Sequence, residues 1–252
     1  MKKEERQAKL LRILNQSGSV SVSQIMEALS VSDMTVRRDL NELEKAGLLI
    51  RTHGGARRIA ESGNSYERTH IEKKSLHEDE KKEIAALAAS FVNEGETIFL
   101  GPGTTIEMIA EELMNKKIRV VTNSLPVFEI LNQSTSVDLI LSGGEYRKVT
   151  GAFVGTAAIC ALKNMRFSKA MISVNGIAEQ GVYTYSEAEG EIQKFALNSA
   201  AEKYLAADSS KFGNYDFYEF YRLSDFDHVI TDSKVSEKDL EELKSICEVH
   251  IA

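Results

Sequence analysis

Five short segments of this 252-residue chain place glycines, hydroxyls and amides directly after β-branched runs. They are Gly101-Pro102-Gly103-Thr104-Thr105, Asn123-Ser124, Gly143-Gly144, Asn175-Gly176 and Ser209-Ser210-Lys211. Glycine lets backbone N–H groups approach a bound group, and threonine hydroxyls at a helix start suit an anion. Arg147 and Lys211 add positive charge, Asn123 and Asn175 can bond sugar hydroxyls, and Glu187, Glu189 and Asp208 supply carboxylates. Together these groups have the chemistry to line a polar, anion-binding pocket. Taken singly, each segment also reads as ordinary turn chemistry, with Thr104 as a helix N-cap and Arg147 and Lys211 as surface cations. Five such loops meeting at one sheet edge favour a pocket.

A second group of residues lies near the start of the chain, in "VSDMTVRRDLNEL", residues 31–43. Val36, Leu40 and Leu43 stand at i, i+4 and i+7, one buried helical stripe, with Ser32 as the cap. Met34, Arg38 and Asn41 fall on the opposite face and Arg37 on its flank. In a helix-turn-helix the first turns of the second helix carry the base-reading side chains. The arginine fork can bond a guanine edge bidentately, and the hydroxyls of Ser32 and Thr35 suit phosphates or bases. The competing reading is a solvated face on which Arg37 and Arg38 pair with Asp33, Asp39 or Glu42. "GLLIRTHGGARRI", residues 47–59, shifts the balance, since it spells a strand, a tight His-Gly-Gly turn and a second strand flanked by Arg51, His53, Arg57 and Arg58.

The elements that must position these groups follow from periodicity. Leu10, Leu11, Ile13 and Leu14 predict a helix over residues 4–16. A second is expected from Ser21 or Ser23, burying Ile25, Met26 and Leu29, and the reading helix follows. Residues 1–58 hold eleven Lys/Arg against seven Asp/Glu, whereas the rest holds 20 against 31, a basic head on an acidic body. The expected organisation is a winged helix-turn-helix domain over 1–58, a polar linker over 59–76 and an α/β domain over 77–252. In that last domain, runs beginning at Thr97, Arg119, Val137, Ala170, Lys203 and His228 alternate with helical patterns, which predicts a mostly parallel sheet.

Several classes of function are excluded on the same grounds. There is no apolar run long enough to span a membrane, and "MKKEERQAKLLRIL" is not a secretory signal. Cys160 and Cys247 are the two cysteines, which fits a reducing cytoplasm. His53, His70, His77, His228 and His250 show no ligand spacing with one another or with the cysteines, so no metal is expected. No Walker-type motif occurs, and no cofactor is expected. An aldose–ketose isomerase would need a base among Glu187, Glu189 and Asp208, or Lys211. Hydrogen bonding to a sugar is the preferred role for these groups, and the isomerase-like enzyme is kept as the alternative.

The head resembles DeoR-type bacterial transcription regulators through Arg6, Leu10, Leu14, Ser32, "TVRRDL" at 35–40 and the "THGGA" wing at 52–56. The resemblance extends through the body in the glycine-threonine-threonine at 103–105, "TNS" at 122–124, "SGGEYR" at 142–147, Gly151 and "ADSSKF" at 207–212. It implies operator binding through the helix from Ser32, and a sensor domain similar in fold to ribose-5-phosphate isomerase that takes a phosphorylated sugar. Within that family, "LGPGTT", "SVNG", "SEAEGEIQ" and "DFYEFYRL" look like lactose phosphotransferase-system repressors, which implies tagatose 6-phosphate as effector. Many relatives carry Asp where this chain has Ser168 and Asn175, which weakens any proton-transfer role. Since one recognition helix reads only a few base pairs, a dimer or larger homo-oligomer is expected.

Overall fold

The computed structural model describes residues 3–17, 19–46, 48–52, 54–57 and 67–252. The chain divides into two units, Met1–Tyr66 and Glu67–Ala252.

The first unit contains helices α1 (Lys3–Ser17), α2 (Val22–Leu29) and α3 (Asp33–Lys45) and strands β1 (Ser19–Ser21), β2 (Ile50–Thr52) and β3 (Gly55–Arg57). Ser21 caps α2 in a reciprocal box with Gln24, which satisfies two donors that the first helical turn leaves open. Leu10 and Leu14 of α1, Ile25 and Leu29 of α2, and Val36, Leu40 and Leu43 of α3 form the core with Leu49. Each fully buried aliphatic side chain stabilises the unit by about 1.5–3 kcal/mol. Asp39 lies among them at 2 % exposure. Arg6 offsets its charge, with Nε at 2.5 Å and Nη2 at 3.0 Å from the carboxylate. The three strands form an antiparallel sheet in the order β1-β3-β2. β1 was not anticipated, because three residues of Ser and Val carry no readable alternation.

The second unit opens with α4 (His70–Lys74) and α5 (Glu78–Ser90), and then alternates: β4 (Thr97–Leu100), α6 (Thr104–Leu113), β5 (Arg119–Thr122), α7 (Leu125–Leu131) and β6 (Asp138–Leu141). A hairpin follows, β7 (Glu145–Arg147) with β8 (Ala152–Val154), then α8 (Gly155–Leu162) and β9 (Phe167–Ile172). The remainder is β10 (Gly176–Ala178), β11 (Gly181–Thr184), α9 (Glu187–Asn198), β12 (Ala200–Ala206), β13 (Tyr218–Arg222), β14 (His228–Thr231), α10 (Glu237–Lys244) and β15 (Glu248–Ile251). Seven strands form one sheet in the order β15-β14-β12-β9-β4-β5-β6, every pair of them parallel.

A parallel sheet needs apolar cover on both faces, and the period-2 alternation of the strands supplies it. Phe99, Val121, Ala170, Ile172, Leu205 and Val229 pack on one side with Leu162 of α8 and Ile192 and Ala196 of α9. Ile98, Leu100, Val120, Met171, Ala206 and Ile230 pack on the other with Ile84 of α5, Ile109 of α6 and Leu131 of α7. From β4 the chain steps to β5 and β6, then returns to the other side of β4 for β9, β12, β14 and β15. The winding therefore reverses between β4 and β9, and the carboxyl ends of those two strands are where such sheets bind ligands.

The polar stretch expected as a linker behaves in two ways. Residues 59–66 lie outside the described residues, whereas 67–76 belong to the second unit and pack on it through charged side chains. Their composition resembles a solvated tether because nothing local reveals those partners.

Candidate functional sites

In the first unit, α3 presents the groups expected of a reading helix. Met34 and Arg38 are strongly exposed, each at 81 %. Arg37 bonds Asp33 at 2.6 Å and Arg38 approaches Glu42 at 3.6 Å, both one turn apart on the helix surface. Such exposed pairs hold arginines only weakly and release them to a phosphate or base at little cost. Ser32 is the N-cap by position, but its hydroxyl bonds Thr35 Oγ1 at 2.9 Å rather than a backbone N–H. Arg51 of β2 donates to the Asn41 side chain, and its backbone N–H donates to Glu44 Oε1 at 3.1 Å. Those contacts fasten the wing to the reading helix. The backbone of Arg57 closes β3, while its side chain, together with His53 and Arg58, falls outside the described residues.

In the second unit, the strand-end segments gather at the carboxyl edge of the sheet. Gly103, not Thr104, is the N-cap of α6, at φ +128°, a conformation that a side chain disfavours. Gly103 brings no capping side chain to the first N–H groups of α6, and Thr104 and Thr105 are buried beside them. Gly101 ends β4 against Ile172 of β9. Asn123 is fully buried; its Nδ2 donates to the Phe153 carbonyl at 3.0 Å and its Oδ1 has no hydrogen bond among the described residues. Asp208 is buried too. Its Oδ1 accepts from Ser210, whereas Oδ2 has no hydrogen bond among the described residues and lies 3.9 Å from Lys211 Nζ.

Other expected residues have structural work of their own. Ser124 caps α7 through Val127 N–H at 3.4 Å. A Cβ on Gly144 would sit 2.7 Å from the Val154 carbonyl, and one on Gly176 would sit 2.3 Å from that of Asn214, so close packing alone accounts for these two glycines. Gly143, at φ +67°, serves the turn before the hairpin. Glu187 is exposed at the start of α9, whereas Glu189, one half-turn on, is buried against Thr150 and Arg147. Arg147 is not a free cation, because Glu67 grips it at 2.8 and 2.5 Å and Glu189 adds a contact at 3.4 Å. Asn175 is bonded at both ends of its amide, accepting from Lys73 Nζ at 2.9 Å and donating to Asp216 at 2.8 Å.

Two lysines at this edge carry no motif. Lys81 of α5 is 3 % exposed and donates to the Lys73 carbonyl at 2.6 Å. Burial first, and then the charge of Lys211, lowers its pKa to about 8. Lys73 is lowered by the same two causes in the same order. The ammonium groups of Lys73, Lys81 and Lys211 thus act on one another, with Asp208 and Glu107 near Lys81 and Glu67, Glu189 and Asp216 near Lys73. The helical repeat of Ile84 and Ala88 could have flagged Lys81, one turn N-terminal on the same buried stripe.

A strap formed by residues 67–76 brings in Lys73. His70 N–H donates to the Val149 carbonyl at 2.9 Å, and His70 Nε2 lies 2.5 Å from Glu107 Oε1. With Glu67 on Arg147, Lys73 on Asn175 and Lys81 on the Lys73 carbonyl, these contacts hold the strap on the rest of the second unit.

At the far end of the sheet, the parallel pairing of β14 and β15 brings His228, Glu248 and His250 together. Their separation in the chain had argued against a shared ligand set. β15 was not foreseen, and without it the proximity is invisible.

Residues 76–233 match the model of the DeoR C terminal sensor domain, and residues 6–62 match that of the DeoR-like helix-turn-helix domain. The lactose phosphotransferase system repressor of Lactococcus lactis subsp. lactis is 51 % identical over 96 % of each chain. That of Streptococcus mutans is 46 % identical over 99 % of each. Among solved structures, ribose 5 phosphate isomerase A from Neisseria gonorrhoeae aligns over 52 % of each chain at 20 % identity with a TM-score of 0.40. Both domain models are matched in one chain, head and body in order: it belongs to the DeoR family of DNA-binding transcription regulators.

Proposed function

We propose that this protein represses a sugar-catabolic operon, that of lactose and galactose, and is released from its operator by a ketose phosphate, tagatose 6-phosphate. The observation that carries the effector class is the pairing of donors with unused acceptors at one edge of the sheet. Three crowded ammonium groups call for an anion of high charge, and a sugar phosphate carries nearly two negative charges at neutral pH. Buried polar atoms normally have hydrogen-bond partners, and Asn123 Oδ1 and Asp208 Oδ2 have none among the described residues, which supports a role for both as acceptors from sugar hydroxyls. The phosphate would sit at the N-terminus of α6, near Gly103, Thr104 and Thr105, with Lys73, Lys81 and Lys211 around it.

The strap gives this reading a mechanism. An anion drawn to Lys73 and Lys81 competes with the Asn175 side chain and the Lys73 carbonyl for their ammonium groups. The strap then shifts, and its other end leads through residues 59–66 to the DNA-reading unit. Operator contact would be made by Ser32, Met34, Thr35, Arg37, Arg38 and Asn41, with Arg51, His53, Arg57 and Arg58 on the wing. At least a dimer is required to read two half-sites. Among the described residues no helix is long and apolar enough to cross a membrane, and the proposed place of action is the cytoplasm, where the operator is.

The test is selection of sheared host genomic fragments by the purified protein at physiological salt, with and without tagatose 6-phosphate. Recovery of a few promoter fragments that are lost on adding the sugar phosphate is the expected result. Fragments that ignore it would remove this effector, and no enrichment at all would remove the regulator.

A further inference from the structure

The parallel register pairs His228 with Glu248 and Ile230 with His250. Because side chains alternate faces along a strand, Glu248 and His250 share a face, and His228 stands beside them on the neighbouring strand. His228 Nδ1 lies 3.2 Å from His250 Nε2, and the Glu248 carboxylate oxygens lie 3.5 Å from the first and 3.7 Å from the second. Two ligands on a tetrahedral ion with bonds of about 2.0–2.1 Å are about 3.3 Å apart. One nitrogen of each imidazole and one carboxylate oxygen lie within 4.8 Å of one another, so a small adjustment brings all three onto a single ion. We propose that His228, His250 and Glu248 bind one divalent transition metal ion of the zinc class at the amino-terminal edge of the sheet, opposite the effector site.

The surroundings favour this assignment over a chance meeting of exposed groups. Both imidazoles are largely buried, at 18 and 16 % exposure, while the carboxylate is 66 % exposed and opens the site to solvent. Tyr204 stacks on His228 at 4.4 Å between ring centres, and Phe91 packs on His250 at 4.5 Å, so both rings are held. The unused nitrogen of His228, Nε2, faces Glu202 at 3.9 Å, and Glu202 in turn accepts from Tyr204 Oη at 2.7 Å. Closing that gap to a hydrogen bond would fix the His228 tautomer and raise its basicity. Two imidazoles and one carboxylate suit Zn²⁺ or Co²⁺, and not Mg²⁺ or Ca²⁺, which take oxygen donors. Three protein ligands leave a fourth position to water. The ion would tie β15, the edge strand, to β14, and so stabilise the sensor unit by mass action.

The experiment is calorimetric titration of the full chain with zinc, paired with thermal unfolding in zinc or magnesium. The expected result is one zinc per chain with micromolar or tighter affinity, a raised melting temperature, and no response to magnesium. His250→Asn should weaken binding by about 100-fold, the upper end of what losing even a supporting group costs. Glu248→Gln, a change to an exposed side chain that leaves the fold intact, should weaken binding by about tenfold or more. Cobalt in place of zinc should give the intense visible bands of a tetrahedral site, lost in both variants. Cys247 neighbours Glu248, with its thiol turned to the Leu243 carbonyl at 3.6 Å, so Cys247→Ser should leave binding unchanged. Absence of zinc binding, or binding that survives both ligand substitutions or depends on Cys247, would overturn the assignment.

Discussion

Arg147 and Glu67 form a two-pronged ion pair, Nη1 at 2.8 Å and Nη2 at 2.5 Å from the two carboxylate oxygens, in which a residue near the DNA-reading unit in sequence clamps the sensor hairpin. Glu189 shares the same guanidinium, and burial is the first cause of its raised carboxyl pKa. Arg147 is therefore committed to holding the strap in place.

Glu67→Gln should loosen that clamp without emptying the lysine cluster. Coupling between two sites is typically about 1–3 kcal/mol, a 5- to 150-fold effect on affinity. The expected outcome is operator binding within a few-fold of the parent, with the tagatose 6-phosphate concentration needed for half release changed by about tenfold. Anisotropy of a labelled operator fragment, titrated with the sugar phosphate, reads both quantities. An unchanged release curve would detach the strap from the signal.

The reading helix makes the complementary prediction. Arg38 is strongly exposed, and its contact with Glu42 is worth little. Arg38→Ala should therefore leave the melting temperature and sugar-phosphate affinity intact while cutting operator affinity by roughly 5- to 150-fold, the worth of a bidentate base contact. Equal operator affinity in the variant would take Arg38 off the reading face.

What the chain declares about itself divides along a physical line. Val36, Leu40 and Leu43 announce α3 because their spacing is a property of that helix alone, and the six anticipated strands likewise carry their own β-branched runs. The alternation of strands and helices likewise foretold the α/β sheet. Lys73 gave no such signal, and Lys81 gave only its place on the stripe of Ile84 and Ala88. Both lysines sit in a charged stretch, "EKKSLHEDEKK", and only long-range packing buries them. Glu187 and Glu189 read alike in the sequence, since which of two near neighbours points inward depends on how α9 lies on the sheet. Thr104 looked like a cap because threonine commonly is one, but the turn demanded the backbone freedom of Gly103.

On the proposed function, Lys81 should set the pH response of effector binding. Its folded-state pKa is lowered to about 8 by burial and by Lys211, and a bound dianion would raise it again. Affinity from this group is fully present below pH 8 and declines as pH rises toward the pKa of the complex. On the acid side, the phosphate loses its second charge below about pH 6. Binding should be strongest between those limits, and near pH 8 it should take up a fraction of a proton. Calorimetry at pH 8 in two buffers of different ionisation enthalpy measures that uptake directly. Equal heats in the two buffers would mean that Lys81 does not meet the phosphate.

Arg6 and Asp39 offer a stability test confined to the first unit. Asp39 is 2 % exposed and depends on Arg6 for its two shortest contacts, with Gln7 adding a weaker one at 3.4 Å. Removing one partner of a buried pair leaves an unpaired charge and destabilises strongly, whereas replacing both by apolar groups is often neutral. Arg6→Ala should lower the melting temperature of the head by on the order of 10 °C. Arg6→Met combined with Asp39→Leu should recover most of the loss, because it removes both charges from a position where Asp39 is 2 % exposed. Calorimetric unfolding of the full chain separates the two units, and the sensor transition should not move. If the double variant melts as low as Arg6→Ala, the pair contributes geometry that apolar packing does not replace.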